Sequence, residues 1–310
     1  MVRTRSTFQS VADPSVFLDV TLSLRKLDRI GTNKIASIAI GVVMGAHPPD
    51  NHRYFVATAS DGSDRTGQDV RVTSFALYSC SSGLLLSPNM STDEATALGK
   101  LVATTIDTVL EEVRGAHAAT LAFNGSYCRH RLTPTSAVLK HELLLYSLRD
   151  LRPPSSSNVA GNMRVASGNT DAMLLTGWAS EFFAYMGSSA HEAPTFVASR
   201  LKRHSMFIWE VDGKPVGFAS YAPAVEVDGE TVYRIGSVFI TPTERCKGYA
   251  SALTAALSQH LRESNSSQTA RICLFADAAN PASNKAYQRI GFEIEGPYLL
   301  YTFTTAPGSV

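Results

Sequence analysis

The sequence has little net charge, and this argues against several classes of protein. Its 310 residues include 28 basic and 27 acidic side chains, so the formal net charge at pH 7 is +1. Proteins that bind nucleic acids or anionic membranes usually carry a basic footprint, which this composition does not provide. Hydrophobic residues make up 44% of the chain, which excludes a disordered protein.

Cysteines and long apolar runs are also scarce. The four cysteines, Cys80, Cys128, Cys246 and Cys273, form no Cys-x-x-Cys pair. This spacing predicts isolated thiols in a reducing compartment rather than a disulfide framework or a zinc site. The longest apolar run, residues 35–46, is too short to span a bilayer.

The sequence predicts no signal peptide, and it lacks the common nucleotide-binding motifs; because the first acidic residue is Asp13, an organellar presequence is the alternative interpretation of the N-terminal residues. Asp13 and Asp19 interrupt any apolar segment of a signal peptide, so we expect a cytoplasmic protein with no membrane partner. The chain contains neither Gly-x-x-x-x-Gly-Lys-Ser/Thr nor Gly-x-Gly-x-x-Gly. The signatures of P-loop proteins and of dinucleotide-binding folds are therefore missing.

Composition divides the chain into two parts. A Pro/Ser/Gly-rich stretch begins at Arg152 and ends at Gly161, and such a stretch is typical of a linker. A length of 310 residues is itself typical of about two domains. We predict an N-terminal domain over residues 1–150, a linker over 151–161 and a second domain over 162–310.

Hydrophobic periodicity is clearer in the second part than in the first. After residue 162 it predicts the element order β-α-α-β-β-β-α-β-α-β. In the first part it predicts one long helix over residues 91–114 and a strand over residues 118–123. Residues 33–45 fit a helix or a strand equally well.

One segment of the second part has the composition of an anion-binding turn. A predicted strand ends at Pro242, and Arg245-x-x-Gly248-x-Ala250 leads into the next helix without a Ser, Thr, Asp or Asn cap directly before Gly248. Unsatisfied N–H groups, the helix dipole and the cations Arg245 and Lys247 together suit a pyrophosphate. An ordinary strand–turn–helix junction with surface cations is the alternative interpretation.

A second informative segment follows the next predicted strand. Asn280 is placed as the N-cap of a short helix, with Pro281 at its first position. Tyr287 falls in the second turn of this helix, and Gly291 is well placed to end it.

These two motifs, in this order, resemble the GNAT superfamily of N-acyltransferases over roughly residues 160–305. The resemblance implies an α/β (α+β) fold in which a mixed, mostly antiparallel sheet is flanked by helices. It also implies acetyl-CoA as co-substrate, no metal, and transfer of an acetyl group to an amine by direct attack. The residues implied to bind acetyl-CoA are Val238, Phe239, Ile240, Arg245, Cys246, Lys247, Gly248, Tyr249, Ala250, Ser251, Asn280 and Lys285.

The same resemblance implies that Tyr287 is the catalytic residue that protonates or hydrogen-bonds the leaving thiolate. A core aromatic on a short helix is the alternative interpretation of Tyr287. The general base stays open among Glu181, Glu210, Glu226 and His204, each of which also fits a solvated surface position.

The first part lacks the chemistry of the second at the corresponding junction. Ser91-x-x-Glu94 is a capping box, and Asp93 adds a further negative charge before the predicted long helix. A helix start of this kind satisfies its own N–H groups and repels phosphate. We therefore predict a degenerate GNAT-like domain that has lost cofactor binding.

Two other functions fit the same residues. One is a non-catalytic protein that binds or senses acyl-CoA, and the other is a module whose first part recruits a protein partner. The expected acceptor of the enzyme is an amine-bearing small molecule or peptide. The oligomeric state stays open.

Overall fold

The computed structural model describes residues 7–60, 70–152, 154, 159–264 and 269–305. Residues 153 and 155–158 of the predicted linker lie outside this part of the chain. The chain divides into two compact units. Unit 1 comprises residues 1–145, 277–279 and 296–310, and unit 2 comprises residues 146–276 and 280–295. The domain boundaries at residues 150 and 162 stay a prediction.

Unit 1 contains the N-terminal elements and the end of the last strand. In chain order they are β1 (Thr7–Val11), α1 (Pro14–Val20), α2 (Leu22–Leu27), α3 (Asn33–Val43), β2 (His52–Ser60), β3 (Val70–Ser79), β4 (Gly83–Leu86), α4 (Thr92–Thr105), β5 (Glu112–Ala116), α5 (His117–His130) and most of β6 (Thr135–Leu148).

The remaining elements follow residue 161. They are β7 (Asn162–Val165), α6 (Ala172–Tyr185), α7 (Ala193–Lys202), β8 (Met206–Val211), β9 (Lys214–Tyr221), β10 (Val225–Val227), β11 (Glu230–Ile240), α8 (Tyr249–Glu263), β12 (Thr269–Asp277), α9 (Pro281–Arg289) and β13 (Phe292–Thr305). Residues 296–305 of β13 belong to unit 1.

The sheet of unit 1 has apolar cores on both faces. Its strand order is β1-β2-β3-β4-β5-β13-β6, in which β4 and β5 are parallel. One core is centred on Phe17, Tyr54 and Phe75, and the other contains Leu98 and Phe123 from α4 and α5. Burial of these large side chains supplies the main driving force for folding of this unit.

The sheet of unit 2 has the strand order β12-β11-β9-β8-β7, with β10 paired to β11. All of its strand pairs with a described register are antiparallel except β11 with β12. Helices α6 and α7 cover a core that includes Trp178, Phe218 and Phe239. Helix α8 contacts β8, β9 and β11. The mixed, mostly antiparallel sheet agrees with the predicted fold class.

The predicted order of elements after residue 162 is confirmed, with the short strand β10 as an addition. Residues 33–45, which fitted two alternatives, contain helix α3. Four free thiols agree with the prediction from cysteine spacing. None of the described helices is long and apolar enough to cross a membrane.

The predicted long helix over residues 91–114 is wrong, because α4 ends at Thr105. The guanidinium of Arg131, at the end of α5, donates to the carbonyl oxygens of Ala103, Ile106 and Asp107 at 3.3, 2.6 and 2.8 Å. These bonds satisfy carbonyls at the helix end that would otherwise need partners. A tertiary contact therefore ends the helix, and residues 112–116 form β5 instead.

The predicted strand over residues 118–123 is also wrong, because this segment lies inside α5. It is rich in Ala and Leu, which are strong helix formers. The neighbouring helix also allows a close approach, since a Cβ atom on Gly99 of α4 would lie 2.7 Å from the carbonyl oxygen of Phe123. A glycine at this contact lets the two helices pack tightly.

Candidate active site

The end of β11 separates from its parallel neighbour. Pairing with β12 runs from Glu230 opposite Thr269 to Ile235 opposite Leu274. β11 then continues to Ile240 and shifts register against β9 after Ile235. A register shift of this kind is a β-bulge or a related irregularity, which bends the strand that carries it.

The last residues of β11 have a partner strand on one side. Val238, Phe239 and Ile240 lie opposite Ala219, Phe218 and Gly217 of β9. Phe239 and Ile240 are buried, and Val238 is half-buried. Because the parallel register with β12 has ended, the other edge of this segment can hydrogen-bond an extended ligand as an added strand would.

Two residues with left-handed backbone shape the turn after β11. Cys246 has φ 64° and Gly248 has φ 84°. Glycine adopts such values freely, whereas a cysteine there is uncommon and strained. The left-handed conformations of Cys246 and Gly248 therefore shape this turn, and Lys247 is the residue between them.

The helix that follows has no side-chain cap. Gly248 is the N-cap of α8 and makes no capping hydrogen bond, and the first turn contains no acidic residue. The first N–H groups of α8 are left without intrahelical partners, and the helix dipole makes this end positive. Tyr249 is buried, while Ala250 and Ser251 are half-buried at this end.

The two cations of the turn have different partners. Arg245 is exposed, but its Nε donates to the carbonyl oxygen of Ile240 at 3.0 Å, and its Cζ lies 5.9 Å from the centre of the Phe239 ring. Lys247 forms a 2.8 Å ion pair with Glu244, and this hydrogen bond raises the pKa of the lysine. Arg245 is therefore held beside the end of β11, whereas Lys247 is an exposed charge with a local partner.

The short helix α9 has the predicted ends. The side chain of Asn280 accepts a hydrogen bond from the N–H of Ser283 at 3.0 Å, and Pro281 is the first helical residue. Gly291, with φ 99°, follows the last turn and donates its N–H to the carbonyl oxygen of Gln288 at 3.1 Å. Both the N-cap and the terminating glycine are therefore confirmed.

Tyr287 on α9 is half-buried among aromatic rings. Its ring centre lies 6.3 Å from that of Tyr146 and 6.1 Å from that of Phe292. Removal of its hydroxyl from solvent, with a smaller effect of Tyr146, raises the pKa of Tyr287 to about 12. The phenol therefore stays protonated at neutral pH and can donate a hydrogen bond.

A chain of polar contacts supports the start of α9. The hydroxyl of Tyr146 donates to the side-chain oxygen of Asn284 at 3.0 Å, and the amide of Asn284 donates to the carbonyl oxygen of Asn280 at 2.9 Å. The amide of Asn280 also lies 3.5 Å from the hydroxyl of Tyr185 on α6.

Sequence analysis missed the roles of Tyr146 and Asn284 in this network. Asn284 was detectable as the residue one helical turn after Asn280 on the same face. Tyr146 gave no sequence signal, because it lies far away along the chain in β6.

The predicted residues fall into two adjacent groups. Val238 to Ser251 form one continuous strand–turn–helix segment, and Asn280, Lys285 and Tyr287 lie on or beside α9, which contacts α8. Lys285 is exposed on α9.

None of the four candidate general bases stands out. Glu210 accepts a 2.7 Å hydrogen bond from Arg164, so its carboxylate is part of an ion pair. Glu181, Glu226 and His204 are all exposed. The geometry does not assign the base among them.

The corresponding junction of unit 1 is built differently. At the start of α4, the N–H of Glu94 donates to Ser91 Oγ at 3.2 Å, and the N–H of Ser91 donates to the Glu94 carboxylate at 2.9 Å. The predicted capping box is confirmed.

Residues 174–292 match the family model described as Acetyltransferase (GNAT) family. The matched range contains the end of β11, the turn, all of α8 and all of α9. The resemblance to the GNAT superfamily that the two motifs predict is therefore confirmed for this part of the chain.

Solved structures extend the likeness of fold over nearly the whole chain. A GNAT-family acetyltransferase from Colwellia psychrerythraea is 13% identical, with a TM-score of 0.52 over 97% of this chain and 100% of its own. A GCN5-related N-acetyltransferase from Sphaerobacter thermophilus is 14% identical, with a TM-score of 0.55 over 96% of this chain and 95% of its own.

A tandem GNAT protein from the clavulanic acid biosynthesis pathway is 10% identical, with a TM-score of 0.54 over 99% of this chain and 100% of its own. At these identities the comparisons show a likeness of fold alone. That fold fits an arrangement of two GNAT domains. A search of curated proteins returned no match.

Proposed function

We propose that this protein is an acyl-CoA-dependent N-acetyltransferase whose active site lies in unit 2. The observation that carries the proposal is the uncapped start of α8, directly after the bent end of β11. Free N–H groups at a helix start, a positive helix end and the adjacent Arg245 match the needs of a pyrophosphate. The GNAT family match over the same residues supports this assignment.

The other predicted residues suit the remaining parts of acetyl-CoA. The pantetheine arm would pair with the backbone of Val238–Ile240 along the edge of β11 that has separated from β12. Asn280 would hydrogen-bond the same arm, and Lys285 would reach a phosphate. The N–H groups from Arg245 to Ser251, which include those of Cys246, Lys247, Gly248, Tyr249 and Ala250, would hold the pyrophosphate.

The chemistry is a direct transfer. A neutral amine attacks the thioester carbonyl carbon, a C–N bond forms, the C–S bond breaks, and CoA leaves as a thiolate that takes up a proton. The attacking nitrogen loses one proton to a base or to water. The phenol of Tyr287 would stabilise the departing sulfur by donating a hydrogen bond, which its raised pKa keeps possible at neutral pH.

The substitution Tyr287→Phe tests this role. Removal of the hydroxyl is expected to lower kcat about 100-fold, because a positioned proton donor contributes at least that much. Thermal stabilisation by acetyl-CoA should be retained, since the helix start and β11 are unchanged. The assay is release of the CoA thiol with a panel of amines.

The matched control is Tyr301→Phe, a half-buried tyrosine of β13 in unit 1. We expect it to keep wild-type kcat. A Tyr287→Phe protein with wild-type kcat would remove this residue from the mechanism. A wild-type protein that acetyl-CoA stabilises but that acetylates no amine would favour a non-catalytic acyl-CoA sensor.

A further inference from the structure

Two arginines converge where α7 meets the sheet of unit 2. Arg200 lies in the last turn of α7, and Arg203 follows the helix. The N–H of Ser205 donates to the carbonyl oxygen of Arg200 at 3.0 Å, and Arg203 Nη2 lies 3.5 Å from Ser205 Oγ. Ser205 therefore holds the two arginines at one turn.

Backbone hydrogen bonds connect this turn to the residue of β11 that carries a third arginine. The backbone N–H of Tyr221 donates to the carbonyl oxygen of Ser205 at 3.1 Å. The backbone N–H of the next residue, Ala222, donates to the carbonyl oxygen of Arg234 at 2.9 Å. Tyr221 and Ala222 thus link the backbone of Ser205 to the backbone of Arg234. We refer to Arg200, Arg203 and Arg234 as the arginine cluster.

The positive charges of Arg203 and Arg234 act on Arg200. Burial, followed by the positive charges of Arg203 and Arg234, lowers the pKa of Arg200. Burial also lowers the pKa of Arg203 and of Arg234. Each residue is nevertheless only half-buried as a whole, so part of its surface stays accessible to solvent.

Arg200 is also incompletely hydrogen-bonded. Its Nε atom is buried and has no hydrogen-bond partner among the described residues. Its Nη1 makes only long contacts, at 3.3 Å to Ser199 Oγ and 3.4 Å to the carbonyl oxygen of Phe196. The guanidinium lies over the Phe196 ring at 3.6 Å, which fixes its plane. A buried donor without a partner is destabilising, and a bound anion would satisfy it.

The position of the cluster relates it to the proposed acetyl-CoA site. The proposed pyrophosphate site follows Ile240, at the C-terminal end of β11. A pantetheine arm extended along Val238–Ile240 would therefore place the thioester toward the N-terminal end of β11. Arg234 lies in that direction, roughly 13 Å from Val238 at about 3.3 Å per residue. An acceptor that approaches the thioester from this side passes the cluster.

We propose that the arginine cluster binds a carboxylate of the acceptor, so that the substrates are amines that also carry a carboxylate. This inference rests on the proposed function. Guanidinium groups bind carboxylates through paired hydrogen bonds, and a half-buried cluster with a fixed plane suits that geometry. The nearly neutral net charge of the chain favours a small acceptor over an anionic polymer.

The test compares acceptors of equal length with and without the carboxylate. The probes are 4-aminobutyrate and 5-aminovalerate against butylamine and pentylamine, assayed by release of the CoA thiol. We expect the amino acids to have at least about 10-fold higher kcat/KM, since a hydrogen bond to a charged group is typically worth that much. Arg203→Gln should remove the preference by raising KM for the amino acids about 10- to 100-fold.

The matched control is Lys202→Gln, which removes an exposed cation from the neighbouring position. Its acceptor preference and its KM for acetyl-CoA should stay at the wild-type value. Arg203→Gln should also be at least as stable as the wild-type protein without ligand, because it relieves repulsion within the cluster. Loss of stability together with an unchanged acceptor preference would show a structural role and overturn the inference.

A binding measurement covers the case in which no acceptor is turned over. Thermal stabilisation of the CoA-saturated protein by 5-aminovalerate should exceed that by pentylamine and should disappear in Arg203→Gln. Equal stabilisation by the two probes, or stronger stabilisation by phosphoethanolamine, would overturn the carboxylate assignment. Absence of any acetyl-CoA binding would instead contradict the proposed function, so the two failures are distinguishable.

Discussion

The β4–α4 junction of unit 1 and the β11–α8 junction of unit 2 differ in how their helices begin. At α4, Ser91 and Glu94 satisfy each other's N–H groups, and Asp93 and Glu94 place two acids in the first turn. At α8, Gly248 supplies no side chain, and the first turn has no acid. One helix start is complete in the protein alone, whereas the other leaves donors for a ligand.

This difference shows how similar folds can have opposite chemistry at equivalent places. A capping box stabilises a helix by about 1 kcal/mol, and an uncapped start gives up that contribution. The uncapped start gains affinity for anions only when the backbone and nearby charges are also suitable. Unit 2 combines the free helix start with Arg245, and unit 1 combines the capped start with carboxylates.

The largest expected effect comes from transferring the chemistry of unit 1 to unit 2. Gly248→Asp would give α8 both an acid and a capping side chain at a position with φ 84°. We expect acetyl-CoA affinity to fall about 100-fold or more, because donors to the pyrophosphate are lost and a negative charge is added. Isothermal titration with acetyl-CoA measures the change.

Gly248→Ala is the matched control for backbone strain. An added Cβ would lie 3.4 Å from Val159 Cγ2, so the site has space for it, and only the left-handed φ is unfavourable. Its affinity should fall much less than that of Gly248→Asp. If both variants lose the same affinity, backbone strain rather than the added charge accounts for the weaker binding of acetyl-CoA.

Charge reversal at Arg245 is expected to have the next largest effect. Arg245→Glu should weaken acetyl-CoA binding about 10- to 100-fold, since a charge-assisted hydrogen bond is replaced by repulsion. Lys214→Glu, at the exposed first residue of β9, makes the same change in net charge and should bind acetyl-CoA normally. Unchanged affinity of Arg245→Glu would place the pyrophosphate elsewhere.

The smallest expected effect is in unit 1. Ser91→Ala removes one half of the capping box and should lower the free energy of unfolding by about 1 kcal/mol. Thr96→Ala, within the same helix, should leave stability nearly unchanged because alanine is a strong helix former. Chemical denaturation measures both. If Ser91→Ala has the wild-type free energy of unfolding, the cap contributes little to stability. The difference between the two junctions would then be one of charge alone.

Local residues determined the parts of the fold that were predictable from sequence. Pro242 and Gly248 bracket the turn before α8, and Asn280, Pro281 and Gly291 bracket α9. In each case the residue acts through its own backbone preference or its own capping side chain, so no knowledge of distant contacts is needed.

Distant contacts explain what was missed. Helix α4 ends where Arg131 binds its carbonyls, although the sequence pattern continues to residue 114. Tyr146 reaches α9 from a strand that has only ordinary alternation. The two arginines at the end of α7 are of the type that any helix end favours. The proposed cluster also needs Arg234, which β11 contributes from a different part of the chain.

The division of β13 has a consequence for synthesis on the ribosome. Residues 296–305 pair with β5 and supply Phe303 to a core of unit 1. Unit 1 therefore cannot be completed until residues 296–305 have been translated. At about 5–20 residues per second, the nascent N-terminal sheet waits roughly ten to thirty seconds for its missing strand. During that interval β5 presents an open edge, and an open strand edge is a template for pairing with another chain.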